Sequence, residues 1–323
     1  MTAAARSASM STTYGRGRSR EGGSVGRVGL TPAGCATGCE PMRAPLGARD
    51  GQQGPAHNTP RVPDTPDRGS TGHDAAMHYV LVHGGGSTAR FWDRLVRLLD
   101  APALAVDLPG RNGKPADFAT LSVAEEAASV VADVDAAGID DEIVLVAHSS
   151  GGLVAPEVVA GLGTRVAHVV LNAALVPVEG GRGIECMKPA HGAGLTASVE
   201  QAQREGRVIT LPGPPPDPES FRTAYGGDPL DDATLAYMVD AARCVPDTVH
   251  HYFQPVYWSL AAGVPITYII NTRDRPIPTA LQDEMVTRLP NSPHVVRIDS
   301  GHIPAVTNSQ EFASILAAVR TRS

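Results

Sequence analysis

Lysine is almost missing from this chain: Lys114 and Lys188 are the only two in 323 residues. Basic side chains number 27 against 34 acidic ones, and the formal net charge is −7. Phosphate backbones need a basic face, so no nucleic-acid partner is expected. Long apolar runs are also lacking. None approaches the roughly 18 residues that cross a bilayer, so no membrane partner is expected either. Cysteine occurs four times, at Cys35, Cys39, Cys186 and Cys244, too few for a disulfide scaffold. Cys35 and Cys39 have no second pair, cysteine or histidine, at metal-ligand spacing. Free thiols in a reducing compartment follow, and the expected location is cytoplasmic.

Residues 1–76 lack any periodic apolar stretch and are crowded with Gly, Pro, Ser and Arg. Nine arginines against six acids make this segment positive, which leaves the excess negative charge to the remainder. Such a composition buries too little apolar surface to offset its ordering entropy. No apolar core of a secretory signal occurs in it, and its glycines spoil the amphipathic helix of a transit peptide. The segment reads as a disordered N-terminal extension, and Met77 is a candidate for the working start of the gene.

What is present begins there. HYVLVHG (78–84), ALAVDL (103–108), EIVLVAH (142–148), VAHVVLNAALV (166–176), PITYIINT (265–272) and HVVRIDS (294–300) read as strands. Between them lie helical patterns at 89–100, with Trp92, Leu95, Val96 and Leu99 on one face, and at 121–138, 150–162 and 278–289, with a last helix from Ser309. Short apolar strands alternating with helices predict an α/β protein, a doubly wound, mostly parallel sheet of about six strands covered on both faces. The rhythm breaks between 180 and 260, where a loop LPGPPPDPES and a helical stretch at 231–243 occur. An insertion at the carboxyl edge of such a sheet covers the place where ligands bind. The organisation expected is therefore a core of 77–180 and 260–323, with a helical cap at 181–259 inserted before the last two strands.

The stretch VLVAHSSGGLV (144–154) carries a strand straight into a helix through small-x-Ser-x-Gly, the pattern of a nucleophile elbow. Centring the turn on Ser149 puts Ala147 and Gly151 at the positions that must be small. Centring it on Ser150 would put His148 there, which is too bulky. Ser149 is the candidate nucleophile. A serine hydroxyl needs a base, and the base needs an orienting acid. Asp274 follows the strand PITYIINT, and His302 follows HVVRIDS, so all three candidates meet at one sheet edge. Asp299 is the rival acid, three residues from His302 and still read as part of the strand. For the oxyanion the expected donors are the amides of Ser150 and Gly85, the latter in His83-Gly84-Gly85-Gly86. His83 reads as an organiser of that loop.

With VLVHGGG, DLPGR, AHSSGG, NTRDRPIP and DSGHIP in this order, the chain from 77 to 323 resembles the α/β-hydrolase superfamily. It is most similar to the group that contains plant methyl-ester esterases and hydroxynitrile lyases. The resemblance implies an α/β-hydrolase fold, and within the group it favours ester cleavage. The lyases carry threonine after the first-loop histidine and lysine beside the catalytic one, whereas here Gly84 follows His83 and Ile303 follows His302. The expected activity is a serine hydrolase acting on a small, mostly apolar carboxylic ester. A lyase or carbon–carbon bond-cleaving enzyme on the same scaffold, and a hydrolase-like small-molecule receptor, remain the alternatives.

Specificity should come from the cap. The substrate-binding candidates are Tyr252, Phe253, Tyr257 and Trp258 there, and Gly84, Phe91, Trp92 and Ile303 near the first loop and the histidine, although aromatics at such spacing more often serve packing. His250-His251 lacks carboxylate or cysteine companions at ligand spacing, so no metal is expected, and no motif points to a cofactor. The partners expected are a small-molecule substrate and, in a homodimer, a second copy of the chain.

Overall fold

Each strand is a run of Val, Ile, Leu and Ala whose alternate side chains face opposite ways, and the structure buries both faces. This is a computed structural model, and it describes residues 77–211, 218–240 and 242–320. The expected disordered extension at 1–76 and the proline-rich stretch 212–217 lie outside the described residues. In chain order the elements are β1 (Met77–Val82), α1 (Asp93–Val96), β2 (Ala103–Val106), α2 (Val123–Ala136), β3 (Glu142–His148), α3 (Ala155–Leu162) and β4 (Val166–Asn172). Then come α4 (Pro189–Arg204), β5 (Thr210–Leu211), α5 (Pro218–Ala224), α6 (Asp232–Val239) and β6 (Asp247–Thr248). The chain closes with β7 (Ile266–Asn271), α7 (Thr279–Val286), β8 (His294–Ile298), α8 (Pro304–Thr307) and α9 (Ser309–Arg320).

Six strands form one sheet in the order β2-β1-β3-β4-β7-β8, and every pairing in it is parallel. The fold is that of an α/β-hydrolase. The register sets Val82 beside Ala147, His148 beside Asn172 and Asn271 beside Ile298. The carboxyl ends of β1, β3, β4, β7 and β8 therefore form a single edge. Val80, Val82, Leu145 and Ala147 pack with Val130 of α2, Val158 of α3 and Met285 of α7. Tyr79, Leu81, Val144 and Val146 turn to the other face, against Phe91, Trp92, Leu95, Phe312 and Leu316.

Several elements are shorter than their sequence patterns suggest, three of them with a bearing on the site. The helix expected at 89–100 is a 3₁₀ turn (Ala89–Trp92) followed by the single turn α1. Trp92 and Leu95 are buried, but Val96 faces solvent. The strand expected at 166–176 ends at Asn172, because Ala173 takes a left-handed backbone conformation (φ 41°) that turns the chain out of the sheet. β8 stops at Ile298, one residue before Asp299. α2 follows its signals closely. Ser122 and Glu125 form a reciprocal capping box at its start, and Gly138 takes positive φ just beyond its end.

Between β4 and β7 the chain leaves the sheet. α4, α5, α6 and the small antiparallel pair β5–β6 occupy this interval. No helix among the described residues is long and apolar enough to cross a membrane.

Candidate active site

The turn after β3 sits against the turn after β1, and their contact explains the small residues. A Cβ on Gly151 would lie 2.7 Å from the His83 carbonyl oxygen and 3.0 Å from that of Val82. Gly151 must be small because the end of β1 touches it. Ser149 itself holds a positive φ of 54°, a strained conformation for a residue with a side chain. The turn is tied down by the amide of Leu175, which donates to the Ser149 carbonyl at 2.8 Å.

This turn aims the Ser149 hydroxyl at His302, with Oγ 3.2 Å from Nε2. On the other side of the ring, Nδ1 lies 2.6 Å from Asp274 Oδ2. These partners put the imidazole proton on Nδ1, donating to the carboxylate, and leave Nε2 to accept from the serine. Asp274 is buried, and its second oxygen accepts the Ile277 amide at 2.8 Å. The rival Asp299 has 79% of its side chain exposed and pairs with Arg273 at 3.0 Å.

The backbone of His302 is also held. Its carbonyl accepts from His148 Nε2 at 2.9 Å and from Asn271 Nδ2 at 3.3 Å. Asn271 Oδ1 in turn accepts from Asn172 Nδ2 at 2.7 Å. His148, Asn172 and Asn271 escaped the sequence reading as supporting residues. The available signal was an asparagine closing each of two apolar strands, in VVLN and YIIN. Burial and the nearby His302 ring push His148 well below its ordinary pKa, so this ring stays neutral.

His83 lies under the first loop, with Nδ1 2.8 Å from the Gly84 carbonyl and Nε2 3.4 Å from the Leu108 amide. Burial and the Arg111 charge push it down to about 3. Gly84 is packed against Ser149, since a Cβ there would lie 2.8 Å from the serine Cβ. A Cβ on Gly85 would meet the Tyr252 hydroxyl at 2.6 Å and the Ser150 hydroxyl at 3.2 Å. Two hydroxyls, those of Tyr252 and Ser150, thus stand beside the Gly85 backbone.

The remaining candidates separate. Phe91 stacks on His148 with ring centroids 5.0 Å apart, and Trp92 meets Phe91 edge-on at 4.9 Å. Both, with Ile303, are buried in the apolar cluster on that face of the sheet. Trp258 is buried in the opposite cluster, while Tyr257 is 46% exposed. Phe253 borders a cap cavity of about 400 Å³ between Phe118, Ile184, Val199 and Val249, which no member of the Ser149–His302–Asp274 array lines. The cap supplies one aromatic that the sequence reading missed: the Tyr225 ring lies 5.9 Å from the His302 ring. Burial pushes its phenol up to about 12, so it is a neutral donor.

Near the base of the cap, Arg111 and Asp247 form an ion pair at 2.6 Å with neither side chain exposed. Glu126 and His251 form a second buried pair at 3.2 Å. Burial opposes a charge on His251, but the charge and hydrogen bond of Glu126 outweigh it and raise its pKa. Lys114 pairs with Asp133, and Lys188 donates to the Arg275 carbonyl at 2.6 Å. No group of acidic, histidine and cysteine side chains suited to a metal occurs among the described residues.

The alpha/beta hydrolase family matches residues 79–315. Among curated proteins, the chain is 32% identical over 177 residues to the probable esterase PIR7A of Oryza sativa subsp. indica, an alignment covering 51% of this chain and 66% of that protein. It is 24% identical over 257 residues to methylesterase 7 of Arabidopsis thaliana, covering 75% and 95%. Among solved structures, a pyrethroid hydrolase from Sphingobium faniae JZ-2 superposes with a TM-score of 0.60 at 19% identity, over 75% of this chain and 96% of that one.

Proposed function

Because this chain belongs to the alpha/beta hydrolase family, we propose that it is a serine hydrolase that cleaves a small, mostly apolar carboxylic ester through an acyl-enzyme on Ser149. The observation that carries the reading is the continuous line from the Ser149 hydroxyl through the His302 ring to the buried Asp274 carboxylate, at 3.2 and 2.6 Å. Ser149 Oγ attacks the ester carbonyl as His302 Nε2 takes its proton. Asp274 keeps the ring in the required tautomer and stabilises the imidazolium that forms. The amides of Gly85 and Ser150 donate to the oxyanion. His302 then returns the proton to the leaving alcohol, and a water activated by the same nitrogen releases the acid.

The names of the relatives, an esterase and a methylesterase, agree with this chemistry. The neutral phenols of Tyr225, beside the His302 ring, and Tyr252, beside the Gly85 backbone, are two polar points that orient an ester without selecting a charged substrate. Ile303 rather than lysine follows His302, and Lys114 and Lys188 are committed to Asp133 and the Arg275 carbonyl, which disfavours a lyase that needs a cation beside the histidine.

Fluorophosphonate labelling tests the reading. Wild type should label stoichiometrically and the Ser149→Ala variant not at all, and short-chain esters should turn over. Labelling without turnover of any ester, thioester or lactone would leave a receptor. Turnover of cyanohydrins in place of esters would leave a lyase.

A further inference from the structure

The first loop is glycine-rich, and such a sequence has no preference of its own for one conformation. In the structure it is held from the cap. The Gly86 amide donates to Asp247 Oδ2 at 2.9 Å, and the Gly86 carbonyl accepts from the Val245 amide at 3.0 Å. Ser87 forms an antiparallel bridge with Cys244, and the Thr88 hydroxyl donates to the Ala242 carbonyl at 2.6 Å. The cap segment 242–247 thus runs along the loop as a template.

Asp247 is the charged member of that template, and it is locked from three sides. Arg111 Nη2 lies 2.6 Å from Oδ2, and the Thr248 amide donates to Oδ1 at 2.8 Å. Arg111 is itself fixed by donating from Nε to the Ser87 carbonyl and from Nη1 to the Pro109 carbonyl, each at 2.8 Å. One guanidinium therefore grips the loop directly and also grips the acid that holds the loop. Asp247 Oδ2 would lie 3.7 Å from a Cβ on Gly85, so the locked carboxylate stands next to the expected oxyanion donor.

We propose that Asp247, clamped by Arg111, is a positioning residue for the oxyanion hole, and that the cap and the first loop act as one preorganised element. Gly86 has both backbone groups committed to the cap, which fixes the peptide that follows Gly85. His83 Nδ1 holds the Gly84 carbonyl, and with it the peptide carrying the Gly85 amide, at 2.8 Å. The donor is thus bracketed on both sides before substrate arrives. This inference rests on the reading of Gly85 as an oxyanion donor. A misaligned donor affects the developing oxyanion more than the ground-state carbonyl, so losing the clamp should lower kcat and leave KM nearly unchanged.

The test uses Asp247→Ala, the double variant Arg111→Met/Asp247→Ala, and the wild-type enzyme. Asp247→Ala leaves a buried arginine unpaired and should lose stability, whereas removing both charges should return much of the melting temperature. Turnover should not return with it. In the double variant kcat should remain on the order of 10- to 100-fold below wild type, less than the loss of a whole oxyanion donor, with KM within about threefold. Recovery of kcat along with melting temperature would overturn the proposal, as would an Asp247→Ala enzyme of wild-type kcat. Hydrogen exchange of the 84–88 peptide supplies a readout independent of ester turnover. The Gly86 amide should exchange slowly in wild type and fast in a variant lacking Asp247, and fast exchange in wild type would overturn the clamp. A wild-type protein that hydrolyses no ester would remove the proposed function and leave the exchange result to decide the clamp.

Discussion

At the scale of single residues, two adjacent serines have opposite fates. Ser149 holds the strained backbone and donates to His302, so Ser149→Ala should lower kcat by several orders of magnitude in an ester assay. Ser150 contributes its amide in the proposed mechanism, and its hydroxyl stands beside the Gly85 backbone. Ser150→Ala should therefore cost less than about tenfold in kcat. A dead Ser150→Ala beside an active Ser149→Ala would reverse the assignment. The same comparison applies to the two acids. Asp274→Asn should lower kcat by about 10⁴, the loss known for the acid-to-amide change in a serine protease triad. Asp299→Asn should stay near wild type, since its carboxylate is exposed and occupied by Arg273. Equal losses in the two variants would contradict the array.

At the scale of elements, the β3–α3 turn depends on contact with the end of β1. Gly151→Ala would drive a methyl against two carbonyl oxygens at 2.7 and 3.0 Å. Neither oxygen can give way, because both belong to the backbone at the end of β1, which is paired on both sides in the sheet. The expected cost is about 1–3 kcal/mol, the usual range for overpacking. Relief by shifting the turn would also carry Ser149 away from His302. Thermal melting and kcat of Gly151→Ala should therefore fall together, and an unchanged enzyme would show that the turn has slack. The cap is tied to the histidine loop as well. Asp228 accepts from Ser300 Oγ at 2.7 Å and from the Thr307 hydroxyl, and it pairs with Arg273 at 3.0 Å. One cap acid thus braces the loops that carry both His302 and Asp274.

At the scale of the whole molecule, buried histidines decide the response to acid. His83 is pushed down to about 3 and His148 well below its ordinary value, in both cases chiefly by burial. A depressed folded-state pKa contributes stability above the unfolded value of about 6.5 and loses it as pH falls toward the folded value. For His83 that loss is about 1.4 kcal/mol per pH unit below 6.5. His251 has the opposite sign, since its pKa is raised. Its contribution is already complete below the unfolded pKa and cannot offset the loss there. Between pH 6 and pH 5 most carboxylates have not begun to protonate, so the melting temperature should already decline in that window. A flat melting temperature from pH 7 to pH 5 would mean that these rings find another route to protonation.

The linear chain by itself determined the strands, their parallel character and the identities of Ser149, Asp274 and His302 as candidates. Those features rest on local patterns: apolar runs of strand length, a small-x-Ser-x-Gly turn, and an acid and a histidine each placed just after a strand. The preference for Asp274 over Asp299 rested on position after a strand, and only the tertiary structure adds burial and a 2.6 Å contact with His302, made across 28 residues of chain. It also decided where the cap aromatics go. Tyr252 reaches Gly85, Trp258 enters the core and Tyr257 faces solvent, although all three lie within seven residues. A short irregular segment has no period from which facing can be read. Arg111 and Asp247 are separated by 136 positions and carry no motif. Their pairing exists because folding removes both from water at one point, and a charge so buried must find its opposite there.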